Sequence, residues 1–431
     1  MAFVLVFAAL TAMTVSAEEG MPDLSGVQNV FIYNLENAEV LYSKNEDDRI
    51  YPASAVKIMT GILAVEFFEG RYADFITVTE EALGDFKGKN IKLKVGEVVS
   101  VENLLYSVIV GGANDAANVL AYEISGSHQY FLDHMNYKAG ELGMENTFYT
   151  NAYGYSDPDM YTTAADTAKL AQYAYGNQTY MDICNSARYV FAETNMSKTR
   201  YVYNSSSLIS TNVETKYRNK LAQGMSAGST VEGGYVVVTA VSQKGMTDIF
   251  VLMGGSYDDE TNRTYVAANE LIDWAYDSFG YRKVLDSGEM VCEIDVNLSG
   301  QVDYVVLSPE RSVEHFLPLS ADLEKDIKRE VELFESSLDA PIPTGYVAGK
   351  MTLTYKGKVI DEVDLITKNS VERNGLLYVL ARIKVFTRSA KFKIVFACVV
   401  IALLLYVGGM IYNKTKSKRY RYKYRGQRRR R

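Results

Sequence analysis

Residues 394 to 412, IVFACVVIALLLYVGGMIY, form an uncharged run of nineteen. At 1.5 Å of rise per residue, a helix of that length is roughly 28 Å long, enough to cross the hydrocarbon core of a bilayer. The run predicts one transmembrane helix, over 392–412, with everything ahead of it folding in water on one side. The tail over 413–431, NKTKSKRYRYKYRGQRRRR, has eleven Lys or Arg and no acid, against five basic residues between Arg382 and Lys393. That asymmetry predicts a cytoplasmic tail and an extracytoplasmic body, with the C-terminal helix contacting the membrane. Alternating Arg, Lys and Tyr also suit nucleic acid, but topology and anionic lipid already account for the charge, and no nucleic-acid partner is expected.

The formal charge of −8 conceals this division. Without the tail's eleven, the remaining 34 basic residues face 53 acidic ones, a balance of −19. At the other end, Ala2 to Val15 is apolar and leads into VSAEE, where Val15 and Ala17 fit the small-residue pattern of a secretory signal. The signal is assigned to 1–17, too short to span a bilayer. With Cys398 inside the predicted span, only Cys184 and Cys292 remain outside, so no disulfide framework is expected. His128, His134 and His315 are scattered without metal-ligand spacing, and no metal or cofactor is expected.

Between the ends, two regions differ in pattern. VQNVFIYNLENAEVLYSKN alternates around Glu36 and Asn37 as a β-hairpin does. A helix beginning near Ser54 is apolar almost all round and ends at Gly70, which predicts a buried core helix. Helical patterns follow over Val101 to Val110, Asp115 to Ile124, His128 to Leu142 and Thr163 to Tyr175. YVVVTAVS and TDIFVLMGG read as neighbouring buried strands, followed by a helix from about Thr261 to Phe279. Strands at both ends of this region with helices between predict one sheet and a helical cluster, a domain assigned to 25–282. Beyond it, MVCEIDVNL, VDYVVLS, GYVAGKMTLTY and KVIDEVDLIT predict a small β domain over 283–370. An acidic insert from Ala321 to Leu338 is expected to form a helix.

In YPASAVKIMTG, Ser54 precedes Lys57 by three residues at a helix start. A serine hydroxyl is a weak nucleophile until a base takes its proton. Residues i and i+3 share a helix face, so a desolvated Lys57 could be that base. Alone the spacing is weak, because Ser and Lys are common.

The surrounding sequence strengthens it. YPASAVKIMTGILAVE, IKLKVGEVVSVENLLYSVIVGGANDAANVLA, TNAYGYSDPDMYTTAADTAKLA and GMSAGSTVEGGYVVVTA together resemble the D-alanyl-D-alanine carboxypeptidases, low-molecular-weight penicillin-binding proteins of the serine-lysine kind. APIPTGYVAGKMTLTYKGKVIDEVDLIT is similar to that family's small C-terminal β domain, and the likeness covers about Val27 to Thr367. The resemblance implies an α/β (α+β) transpeptidase fold of the penicillin-binding and β-lactamase type, with an antiparallel sheet. It implies acylation at Ser54, with Lys57 as base and the Ser54 backbone N–H in the oxyanion hole. Asn114 matches the asparagine of the second motif, Ser-x-Asn, which holds the substrate peptide, but Gly112 stands where the motif has serine. In the third motif, Lys-Thr-Gly, the chain has Ser226, Ala227 and Gly228, keeping only the glycine against which substrate lies.

Gly112 carries no hydroxyl to relay a proton, and Ser226 no charge to attract a carboxylate or disfavour protonation of Lys57. On this reading Lys57 is more fully protonated than in an intact relative, and activity is reduced. The hydroxyls of Ser226, Ser229 and Thr230 remain as candidate carboxylate ligands. The expected function is a membrane-anchored serine carboxypeptidase acting on peptidoglycan stem peptides, with β-lactams as possible ligands. The alternative is an inactive relative that binds wall peptides or partner proteins.

Overall fold

The computed structural model describes residues 20–212 and 214–427, so the signal assigned to 1–17 and the last four arginines lie outside the described residues. The chain divides into two units, Met1–Gly280 with Phe316–Ser320, and Tyr281–His315 with Ala321–Arg431.

The first unit is built on five antiparallel strands. β1 (Asn29–Asn34) and β2 (Glu39–Lys44) form the hairpin around Glu36 and Asn37, and β3 (Ala222–Thr230), β4 (Gly234–Gln243) and β5 (Met246–Gly255) complete a sheet of order β2-β1-β5-β4-β3. Residues 45 to 221 therefore leave the sheet and return to it. That excursion carries the longer helices of the unit's first part: α1 (Val56–Phe67), α2 (Val101–Ile109), α3 (Asn114–Ser125), α4 (His128–Glu141), α5 (Ala164–Tyr175) and α6 (Gln178–Cys184). A further helix, α7 (Arg263–Ser278), follows β5.

The sheet separates two cores, and strand periodicity explains the split. Val236, Val238 and Ala240 of β4, with Ile249, Val251 and Met253 of β5, join the core made by α1 to α6. Their neighbours Val237, Val241, Phe250 and Leu252 pack with Ala268, Leu271, Ile272 and Ala275 of α7. Both faces are covered, so β4 and β5 read as unbroken apolar runs rather than alternating ones. Every residue of α1 from Val56 to Val65 is buried, as its all-round apolarity requires. Burial of Ile58 and Ile62 each contributes about 1.5–3 kcal/mol. The helix stops at Phe67, and Gly70, at φ +74°, turns the chain away.

The second unit is built on a six-stranded sheet, β6 (Cys292–Asn297), β7 (Tyr304–Pro309), β8 (Ile327–Leu333), β9 (Ser337–Asp339), β10 (Val347–Tyr355) and β11 (Lys358–Thr367), in the order β8-β10-β11-β7-β6-β9. The helix expected over Ala321 to Leu338 is confined to four residues, Leu323–Asp326. Ile327–Leu333 is instead the edge strand β8, paired antiparallel with β10. Its charged residues gave the segment a helical look, but Ile327, Val331 and Leu333 recur at even spacing, and Lys350 of β10 reaches Glu332 across the pair at 3.7 Å. Charge on an edge strand discourages pairing with other chains.

Two helices close the unit, α8 (Gly375–Arg388) and α9 (Ala390–Gln427). Within α9 the 28 residues Ala390–Ser417 are long and apolar enough to cross a bilayer, and Leu403, Leu404 and Leu405 lie exposed. The helix runs on into the basic segment, so the boundary expected at 412 is not a structural one.

Candidate active site

Ser54 lies in a single 3₁₀ turn, Ala53–Ala55, that runs directly into α1. Ala53 sits at φ +45°, a conformation that residues with a β-carbon rarely adopt, so the turn carries strain beside the serine. Two neighbours hold it. On one side Ser226 Oγ of β3 donates to the Ser54 carbonyl at 2.7 Å. On the other, the backbone of Gly154 passes so close to the Ala53 carbonyl that a β-carbon there would overlap it. Gly154, at φ +78°, is therefore required twice over.

Lys57, the second residue of α1, is buried, and its Nζ donates to the Tyr153 carbonyl at 2.6 Å. Thr60, on the same face, donates to the adjoining Ala152 carbonyl at 2.6 Å. Asn151 fixes this loop by accepting from the Gly154 N–H at 2.7 Å and donating to the Tyr155 carbonyl at 2.9 Å. Burial pushes the Lys57 amine down to about 7, and the positive charge of Lys89 acts in the same direction. The like charge missing at Ser226 arrives from a different loop.

Asn114 opens α3, just after Gly112, which turns at φ +68°. Its backbone N–H donates to the Lys89 carbonyl at 2.8 Å, and its Nδ2 to the Lys87 carbonyl at 2.5 Å. Only 6% of Asn114 is exposed, and its Oδ1 has no hydrogen-bond partner among the described residues. The next residue, Asp115, is fully buried and accepts from the N–H groups of Ile91 and Leu93 at 3.2 and 3.0 Å. Asn114 and Asp115 therefore clamp the loop 87–93 to the start of α3. A β-carbon on Gly88 would press against Asn114 Nδ2 at 2.9 Å, so the clamp depends on glycine there.

A β-carbon at Gly112 would face Ser205 Oγ at 3.8 Å and Lys89 Cδ at 4.0 Å. Two polar side chains thus border the place where the family has a serine. On β3, Ser226 and Gly228 face Ser54, and a β-carbon on Gly228 would overlap Ser54 Oγ. Ala227, between them, does not line the site with its side chain: strand alternation turns it into the α7 core. Nor are all the candidate hydroxyls available. Ser226 is committed to the Ser54 carbonyl, and Thr230 Oγ1 accepts from the Gly233 N–H at 2.9 Å. Ser229 is exposed.

Ser226 and Gly228 meet Ser54 beside the start of α1, while Gly112 and Asn114 border Lys89, whose charge acts on Lys57, so positions up to 174 residues apart are linked. Lys89, Asp115 and the Ala152–Tyr153 carbonyls belong to the same constellation and escaped the sequence reading. The one available signal was Lys87, Lys89, Lys92 and Lys94 crowded into eight residues around Gly88.

A five-stranded antiparallel sheet beside a helical cluster, with a strained serine turn against its edge strand, is the fold expected of a penicillin-binding protein. Comparison with known proteins agrees. The D-alanyl-D-alanine carboxypeptidase family profile matches residues 16–257, and that of the penicillin-binding protein 5 C-terminal domain matches 279–373. The chain belongs to the D-alanyl-D-alanine carboxypeptidase family. It is 29% identical over 386 residues to the D-alanyl-D-alanine carboxypeptidase DacA of Haemophilus influenzae, covering 87% of this chain and 94% of that one. It is 26% identical to DacF of Bacillus subtilis, over 80% of this chain and 86% of the relative. Among solved structures, penicillin binding protein 5 from Haemophilus influenzae matches with a TM-score of 0.57 and 27% identity, over 82% of this chain and 99% of that one. Penicillin binding protein 6B from Escherichia coli, at 19% identity and a TM-score of 0.60 over 83% of this chain and all of that one, shares the fold.

Proposed function

We propose that the chain is a membrane-tethered serine carboxypeptidase that removes the terminal D-alanine from peptidoglycan stem peptides. The neutral Lys57 amine takes the proton of Ser54, whose oxygen attacks the carbonyl of the penultimate D-alanine. The peptide C–N bond breaks, and D-alanine leaves as the protonated amine. Water then hydrolyses the ester on Ser54 and frees the shortened peptide, with Lys57 again handling the proton. The observation that carries this reading is Lys57 itself: buried against the Tyr153 carbonyl beside Ser54 and held at about 7, it is an effective base at neutral pH. Asn114 Oδ1, buried without a partner, supports it as an acceptor for a substrate N–H. With Gly112 and Ser226 in place of a relay serine and a cation, turnover is lower than in relatives with complete motifs. Helix α9 anchors the enzyme, with its basic end in the cytoplasm and both folded units outside.

The reading is tested by incubating the protein with a labelled β-lactam and mapping the adduct, alongside D-alanine release from a peptide ending in D-Ala-D-Ala. The adduct is expected on Ser54 and is expected to vanish in Ser54→Ala. A second reading has its own support: Ser226 Oγ is tied to the Ser54 carbonyl, leaving β3 without a charged substrate ligand. In that case the protein binds wall peptides without turning them over, and binding persists in Ser54→Ala while neither adduct nor D-alanine appears.

A further inference from the structure

We propose that Lys89 is a substrate-binding residue of this site, supplying from the loop 87–93 the cation that receives the terminal carboxylate of the peptide. The inference rests on the reading of the groove given above and adds a residue that no matched motif contains.

Position carries the argument. The Lys89 side chain runs past Gly112, its Cδ 4.0 Å from where a β-carbon there would stand. Its backbone is not loose. The Lys89 carbonyl accepts from Asn114 N–H, the Lys87 carbonyl from Asn114 Nδ2, and Ile91 and Leu93 are held by the buried carboxylate of Asp115. The loop that carries the lysine is thus fixed to the residue that presents the unpartnered Asn114 Oδ1.

Charge points the same way. Lys89 makes no ion pair with any described residue, and its side chain is open to solvent, so an incoming anion can reach it. Protein crowded around the amine nevertheless lowers its pKa, which is the setting in which a carboxylate gains most from pairing. It is close enough to Lys57 to act on that amine's protonation. Within the β3 segment 226–228 there is no charge to do this. Lys57 itself, buried and turned to the Tyr153 carbonyl, serves as the base.

The test uses the full chain carrying Ser54→Ala, so that no turnover confuses binding, and two probes: a short peptide ending in D-Ala-D-Ala and the same peptide as its C-terminal amide. Titration calorimetry is expected to show tighter binding of the carboxylate form. Adding Lys89→Gln is expected to weaken that form by about tenfold, leave the amide within about twofold, and so erase the discrimination. Lys89→Arg, which keeps the charge, is expected to retain it. Equal melting temperatures of the variants exclude misfolding as the cause. Discrimination that survives Lys89→Gln, or the absence of binding by either probe, overturns the proposal. The acyl-enzyme reading fails separately: it falls if wild-type protein yields no β-lactam adduct on Ser54, whether or not Lys89 governs binding.

Discussion

Ser54 Oγ occupies the space that a β-carbon on residue 228 would need, so β3 passes this close to Ser54 only because residue 228 is glycine. The strand is held at this distance by the Ser226 hydroxyl on the Ser54 carbonyl. Substitution Gly228→Ala must therefore push the hydroxyl or the strand aside. Displacement of a reacting group by an ångström costs on the order of 10²-fold in rate. Acylation of Ser54 by a labelled β-lactam is expected to slow by at least about that factor, while the circular dichroism spectrum stays native. Labelling at the wild-type rate would show that the close approach has no bearing on the chemistry.

Lys57 accepts a proton only when neutral, and burial with the Lys89 charge holds its pKa at about 7. The neutral fraction rises with pH, so the acylation rate is expected to climb between about pH 6 and pH 8 and then level off. Lys89→Gln removes the like charge and is expected to move the midpoint upward. Stopped-flow acylation across this range checks both, and a flat profile in the wild type would contradict the assignment of Lys57 as base.

Restoring the two altered motifs gives a third prediction. In the double variant Gly112→Ser plus Ser226→Lys, D-alanine release is expected to rise by on the order of 10²-fold. The β-carbon at 112 meets only ordinary contacts, 3.7 Å from Ser205 Cβ at the nearest. The backbone there is left-handed at φ +68°, so the serine is expected to cost about 1 kcal/mol of stability in a urea titration. No gain in turnover would mean that something other than these side chains limits the enzyme.

Asp248 gives a prediction about stability. It is 1% exposed, accepts from Asn34 Nδ2 at 2.7 Å, and burial raises its pKa from 3.8 to about 6. An acid whose pKa rises on folding binds more protons in the native state. Its contribution is therefore most favourable at low pH and is lost as pH climbs from about 4 through 6. Asp248→Asn removes the titration and keeps an oxygen for Asn34. Above pH 7 the variant is expected to be more stable than wild type by about 1–3 kcal/mol, with a flatter slope between pH 4 and 6. Urea titrations at several pH values decide it, and equal slopes for the two proteins would refute it.

Much of the architecture was legible in the sequence, because burial leaves a periodic mark. Whether a segment sits between two layers or one is written in its own residues: α1 is apolar almost all round, β4 and β5 carry the central apolar runs Tyr235–Val238 and Ile249–Met253, and the hairpin at Glu36 and Asn37 alternates. The Ser54–Lys57 spacing could be read from one short segment, whereas Asn114 entered only through the resemblance of its segment to a known family. The edge strand β8 was not legible, since its high charge has the composition of an exposed helix and only its pairing with β10 selects the extended form.

By itself, then, the sequence determined the elements of this protein, its apolar C-terminal helix and the pairing of a serine with a lysine one turn apart. The tertiary structure decided the state of that lysine. Its pKa depends on the Tyr153 loop that buries it and on Lys89, which stands 32 residues away along the chain and is held in place by Asn114 and Asp115. Spacing along one helix specifies which groups can meet. Desolvation and the field of a distant charge arise only when separate segments pack together, and no local pattern records them.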